Sequence, residues 1–250
     1  MYLADHARHA RLGYDSGVTF SHGAKDRLTH HDLGRFAGET LFDRLGRAVC
    51  AAGVLPRKEL YEAWEVARRV RRRVRGGRVV DVAGGHGLLA HVMLLLDDTS
   101  SEALVIDPVR PPSADALHAA IIGAWPRLSQ RIRWFETPLD AVTLDAADVI
   151  VSSHACGALT DRVLDAALAA GAPVAVLPCC HDDQTCDAGP LGGWMDLALA
   201  VDSLRAVRLA DRGYDVWTQE IPPEITPKHR LLVGRPRRQS AGVTAESGAE

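Results

Sequence analysis

Five side chains that can move protons or bind metals follow two apolar runs: His154 and Cys156 after Val149 to Val151, and Cys179, Cys180 and His181 after Val174 to Leu177. An imidazole can accept the proton of a hydroxyl or ring nitrogen during group transfer, which makes His154 the first candidate base and His181 the second. Thiolates and imidazoles are also good zinc ligands, and four of them could meet a tetrahedral ion. The spacing argues otherwise. No Cys-x-x-Cys pair is present, and adjacent Cys179 and Cys180 on an extended segment point opposite ways unless the strand has already ended in a turn. No metal is assigned on this reading, and burial under the loops stays open as the role of Cys156 and Cys180.

A second set of residues lies in the stretch RVVDVAGGHGLL, Arg78 to Leu89. The β-branched run Val79 to Val82 reads as a buried parallel strand, glycines 84, 85 and 87 as a tight turn, and Leu88, Leu89, Val92 and Met93 as the buried side of a helix. Small residues there let a ligand approach backbone N–H groups at a helix N-terminus. Asp81, near the strand end, could accept a hydrogen bond from the polar end of that ligand. The apolar run Ala103 to Ile106 ends in Asp107, 26 positions after Asp81, where a carboxylate could take both hydroxyls of a ribose. A nucleoside-bearing cofactor is the expectation, with a plain strand-to-helix turn as the alternative. Asp140, in the loop after a third strand, could approach the exocyclic amine of an adenine or simply form a turn. Ser152, closing the fourth strand, joins the cofactor set.

These residues need elements to hold them. A helix is expected over 29–53, capped by Thr29, and another from Pro56, with Leu60, Ala63, Trp64, Ala67 and Val70 inward. The second carries Glu59, Glu62 and Glu65 early and six arginines between Arg68 and Arg75 late. This order suits the helix dipole, and a phosphate-binding stripe is the other reading. Strand-helix repeats continue through Ile132 to Phe135, Val149 to Val151 and Val174 to Leu177. A helix is expected from about Trp194 to Arg212, then strands Asp215 to Gln219 and Arg230 to Val233. Trp194 could stack on a substrate or begin the helix. The sum is an α/β chain, one doubly wound sheet with a terminal antiparallel hairpin and an N-terminal helical extension. The expected divisions are 1–55, 56–234 and a flexible tail over 235–250; residues 1–26 are expected to wrap the core or order over a substrate.

With 250 residues and 47% hydrophobic content, the chain can bury one large core. A net charge of -3 exerts no global pull on nucleic acid. No apolar run has the length of a membrane span and no signal-peptide core is evident, so a cytoplasmic location with five reduced cysteines is expected.

On these motifs the chain resembles the class I S-adenosylmethionine-dependent methyltransferases. More narrowly, it resembles the branch containing acceptor-stem tRNA 2'-O-methyltransferases and related methyltransferase-like proteins. The matching elements are Asp81 to Gly87, the His-x-Cys-Gly element His154 to Gly157 with Thr160-Asp161, and the Cys-Cys-His element Cys179 to His181. Lys58, with Glu62 on its helical face, resembles a Lys and Glu that precede the glycine motif in that branch. Ala83 stands where the motif has its first glycine, and the zinc modules of the tRNA-modifying relatives are not matched near the N-terminus.

The resemblance implies a Rossmann-like methyltransferase sheet and S-adenosylmethionine as cofactor, held by Asp81, Ala83, Gly84, Gly85, Gly87, Asp107, Asp140 and Ser152. Lys58 is expected over the cofactor or substrate; because strands four and five end on the cofactor side, Cys156, Cys179 and Cys180 are expected toward the substrate with Trp194, and His154 and His181 near the transferred methyl. The acceptor is left unidentified, with tRNA or another RNA as one candidate. A small-molecule acceptor, a non-catalytic RNA-binding scaffold and an NAD-dependent oxidoreductase are the alternatives.

Overall fold

The computed structural model describes residues 26–237. Strands β1 (Arg78–Val82), β2 (Ala103–Ile106), β3 (Ile132–Phe135), β4 (Asp148–Ser152) and β5 (Val174–Val176) are parallel. The hairpin of β6 (Tyr214–Glu220) and β7 (Arg230–Pro236) closes the sheet antiparallel, in the order β3-β2-β1-β4-β5-β7-β6. This is the expected doubly wound sheet with its terminal hairpin. Chain order reverses between β1 and its neighbours β2 and β4, so a crevice opens beyond the C-terminal ends of these strands.

Strand residues alternate between two apolar layers, as a period of two requires. Val79, Val105, Val149 and Val151 face α1 (Leu41–Ala52), α2 (Arg57–Val70), α3 (Leu88–Leu96) and α4 (Ala114–Ala124). Val80, Val82, Ile106 and Ile150 face α5 (Ala158–Ala170) and Leu209 of α6 (Leu197–Asp211). Because both faces are covered, β1 needs apolar residues at successive positions, and Asp81 is the exception that the crevice explains.

The N-terminal segment differs from the continuous helix expected over 29–53. A 3-10 turn, His30–Phe36, is followed by α1 only from Leu41. Two caps stand within one apolar period. The Thr29 hydroxyl accepts the His31 N–H and the Asp32 carboxylate accepts the Thr29 N–H, whereas the Thr40 hydroxyl accepts the Asp43 N–H at 3.1 Å and starts a new helix. Apolar spacing alone does not reveal such a break. Leu45 and Val49 of α1 nevertheless lie in the same core layer as β1 and α3.

Helix α6 begins at Leu197, capped by Asp196, so Trp194 does not open it and stands 87% exposed before the cap. Strand β7 runs to Pro236, beyond the Val233 expected from the apolar run. Residues 1–25 and 238–250, which hold most of the expected wrapping segment and tail, lie outside the described residues. Among the described residues no helix is long and apolar enough to cross a membrane.

Ala83 has a φ of +55°, a left-handed conformation that strains a residue with a Cβ. Its N–H still donates to the Ile106 carbonyl at 2.8 Å, at the end of β2, as the chain turns into the glycines. Ala83→Gly should therefore raise stability by about 1 kcal/mol, the strain relief exceeding the added chain entropy of glycine. A urea midpoint unchanged or lowered in Ala83→Gly would refute this.

Candidate active site

The crevice beyond β1 is built on two carboxylates and one turn. Asp81 pairs in register with Val105 of β2 and Val151 of β4 and is buried; its carboxylate accepts the Ala90 N–H from the first turn of α3 at 3.1 Å. Gly84 crosses directly over it. A Cβ at that position would lie 2.8 Å from the Asp81 carboxyl carbon and from a Val105 methyl, so only glycine lets the chain pass. Gly85 donates its N–H to Asp107 at 3.1 Å, while the other Asp107 oxygen accepts the Val109 N–H at 3.1 Å. Trp134 braces the turn by donating to the Gly85 carbonyl at 3.3 Å, and Arg110 stacks on its outer face.

A cavity of about 220 Å³ results. The turn residues Ala83, Gly84, Gly85 and His86 form one side and Asp81 the floor; Leu88 and Leu89 of α3, Glu59 and Ala63 of α2, and Ser153 and His154 complete the wall. Burial pushes the Asp81 carboxyl up to about 7; the Ala90 N–H opposes this and the neighbouring Asp107 charge adds to it. Glu59 is also raised, chiefly by burial, with the charge of His154 pulling the other way. A cationic group brought between these carboxylates would favour their ionised forms.

The structure brings Asp81, Ala83, Gly84, Gly85 and His154 together around this cavity, with Gly87 as the left-handed N-cap of α3 and Asp107 behind the turn. Other expected residues stand elsewhere. Ser152 is buried and ties β4 to its neighbours, its hydroxyl donating to the Val82 carbonyl at 2.7 Å and accepting the Ala155 N–H at 3.1 Å. Asp140 borders a separate shallow groove with Val142 and Ala166, and its carboxylate is held by Arg162. Lys58 turns to Glu62 at 3.2 Å, which leaves Glu59 and Ala63, one helical turn apart, as the α2 residues in the wall.

His181 is not among the wall residues; its Nε2 meets Asp202 at 2.7 Å and its Nδ1 is buried without a partner. Cys156, Cys179 and Cys180 converge at the same end of the sheet, all three sulfurs lying within 4.8 Å of one another. The expectation that Cys179 and Cys180 diverge fails because β5 ends at Val176, before either cysteine. Glu59, His86 and Ser153 were missed as wall residues. Only the spacing of Glu59 and Ala63 on one helical face could have signalled the first.

The arginine run of α2 is largely absorbed by the fold. Arg68 and Arg69 meet buried Glu65; Arg71 is itself buried and reaches Asp97 at 3.2 Å and Ser100 at 2.8 Å; Arg73 stacks on Trp217. Arg68 follows Glu59 by nine residues, about 14 Å along a helix rising 1.5 Å per residue. The stripe therefore runs away from the cavity, toward the N-terminal ends of the strands.

Comparison with known proteins gives one family match: the family described as Methyltransferase domain matches residues 57–186, just over half of the chain. The match contains α2, the glycine turn and all three converging cysteines. No curated protein matches. Among solved structures, an O-methyltransferase family protein from Burkholderia thailandensis is 22% identical, covering 83% of this chain and 64% of its own, with a TM-score of 0.49. The S-adenosylmethionine-dependent methyltransferase SibL is 21% identical, covering 84% and 66%, with a TM-score of 0.48. Human N-acetylserotonin methyltransferase in complex with SAM is 15% identical, covering 78% and 56%, with a TM-score of 0.45. The chain thus spans less than two thirds of the length of each of these structures.

Proposed function

The chain belongs to the methyltransferase domain family, and from that premise we infer that it transfers a methyl group from S-adenosylmethionine to a small-molecule acceptor. The observation that carries the reading is the pair of carboxylates, Asp81 and Asp107, fixed on either side of a glycine turn at the point where strand order reverses. Bound S-adenosylmethionine supplies an activated methyl on a sulfonium, so no covalent enzyme intermediate is needed.

The chain's own residues bind and orient. Asp81, at the floor, faces the cationic amino-acid end and is ionised by it. Asp107 has a lone pair on each oxygen beyond those used by Gly85 and Val109, which suits two ribose hydroxyls. Gly84 lets the turn pass over Asp81, and the Cβ position of Gly85 meets nothing within 4 Å; with the N-terminus of α3 they leave room for close approach to the backbone. His154 stands in the same wall as Glu59, placed to take the acceptor's proton as the methyl is transferred. His181, turned to Asp202, has no part in this step.

A small acceptor fits better than RNA because Arg68, Arg69 and Arg71 are paired within the fold and the arginine run leads away from the cavity. The RNA reading retains the support of the His154 to Gly157 and Cys179 to His181 motifs. Family membership weighs against the nicotinamide alternative.

Calorimetry with S-adenosylmethionine, S-adenosylhomocysteine and NAD tests the cofactor. The first two should bind and NAD should not. Asp107→Ala should weaken binding by roughly 10- to 100-fold, the worth of charge-assisted hydrogen bonds. Binding of NAD alone would overturn the reading. Labelled cofactor incubated with tRNA and with small-molecule extracts then separates acceptors: label found only in tRNA would reverse the acceptor assignment, and binding without any transfer would favour the scaffold.

A further inference from the structure

We propose that Cys156, Cys179 and Cys180 form a zinc site of three thiolates, with the fourth position open to solvent. This stands on geometry independent of the methyl-transfer reading. Strands β4 and β5 pair through Ser152 and Val176, and the Leu177 N–H still donates to the Ser152 carbonyl at 2.9 Å; beyond that point both chains leave the sheet. The two loops then rejoin, the Gly157 N–H donating to the Cys180 carbonyl at 3.2 Å. Gly157 has a φ of +56°, and a Cβ there would lie 2.9 Å from the Asp182 carboxylate. The residue after Cys156 is thus pressed against the segment that follows Cys180.

Three cysteines from two loops separated by more than twenty residues are thereby brought to one spot. Their sulfurs lie within 4.8 Å of one another, and those of Cys156 and Cys179 are 2.7 Å apart. Zinc bound at 2.3 Å in a tetrahedron sets its sulfurs about 3.8 Å apart. The cluster therefore has about the size of the ligand set, and its closest pair opens by about 1 Å around the ion.

The chemistry of the donors selects the ion. All three are soft sulfur ligands, which favour zinc over magnesium or calcium. Cys156 and Cys180 are exposed and Cys179 is half-buried, so an ion can enter from solvent, whereas Cys50 and Cys186 are buried elsewhere. Burial pushes the Cys156 thiol up, with Cys179 opposing and Cys180 adding to it, and burial with the neighbouring Cys156 raises Cys179; without a cation both thiols stay protonated. A dication reverses this balance, and each ligating thiol releases its proton to water. Affinity should accordingly fall steeply as pH drops. The bound ion would lock the loops after β4 and β5 together, two residues from His154.

Cobalt(II) serves as the spectroscopic probe. The full chain, with five free thiols verified by titration under anaerobic conditions, should bind one cobalt per chain. Sulfur-to-cobalt charge transfer in the near ultraviolet and d–d bands of tetrahedral intensity should appear, and zinc should bleach them. Cys180→Ser should weaken binding by more than the roughly 10- to 100-fold that loss of a mere supporting partner costs, while Cys50→Ala, a core position, should keep the spectrum. Absence of charge transfer at saturating cobalt with all thiols free would overturn the proposal. So would an unchanged spectrum and affinity in Cys180→Ser, or isolation of the chain with a Cys156–Cys179 disulfide that still yields no cobalt site after reduction.

Discussion

Asp81→Asn should weaken S-adenosylmethionine binding by roughly 10- to 100-fold and, in the cofactor-free protein, flatten the fall of stability between about pH 4 and pH 7. Both effects have one origin. The Asp81 carboxyl is buried and pushed up to about 7 from 3.8, mainly by desolvation. Between these values the folded chain holds a proton that the unfolded chain has released. Stability is therefore greatest below the unfolded value and falls as pH rises through the folded one. The loss amounts to a few kcal/mol at most.

Asparagine removes the charge but keeps an oxygen for the Ala90 N–H, so α3 stays capped and the fold at pH 8 should be at least as stable as wild type. What it lacks is the negative charge that we propose meets the cationic end of the cofactor. Wild-type affinity should weaken below about pH 7 for the same reason, as the carboxyl takes up its proton. Calorimetry and urea unfolding across this pH range check the pair of effects. Unchanged affinity in Asp81→Asn would remove Asp81 from the cofactor site, and a pH slope equal to wild type would mean another group titrates.

Gly77→Ala should destabilise the fold by about 3–5 kcal/mol, the combined scale of left-handed strain and overpacking. Gly77 has a φ of +72°, and its added Cβ would lie 2.2 Å from the Ala147 carbonyl oxygen. That oxygen belongs to the backbone just before β4, so no side-chain rotation relieves the contact. The clash falls at the entry to β1, the strand on which the cofactor turn depends. Gly76→Ala supplies the control. Its φ is +71°, but the nearest atom to its Cβ would be the Thr99 hydroxyl at 3.7 Å, so only the strain of roughly 1–2 kcal/mol applies. Equal denaturant midpoints for the two variants would show that the β1 to β4 approach relaxes freely.

The doubly wound sheet, its terminal hairpin and the glycine turn were legible in the sequence because each is written in local terms. A β-branched run, three closely spaced glycines and an acid at a strand end act over a few residues, so the strand and glycine turn that carry Asp81 and Gly85 are readable from local sequence. Helix breaks were less legible. Thr29 and Thr40 are both good caps, but an apolar period passes through them unchanged.

The site's wall depended on the tertiary structure. Lys58 and Glu59 are neighbours in sequence, and only the rotation of α2 against α3 decided that Glu59 enters the cavity while Lys58 pairs with Glu62. The place of Asp140 after β3 suits either the cofactor or a turn, and Arg162, on a helix more than twenty residues later, holds its carboxylate in another groove. The convergence of Cys156 with Cys179 and Cys180 likewise turned on where β5 stops, since alternation of side chains lasts only as long as the strand. Local sequence determined which residues could form a turn and cap a helix; long-range packing decided which side chains meet, because meeting depends on how whole elements rotate and end.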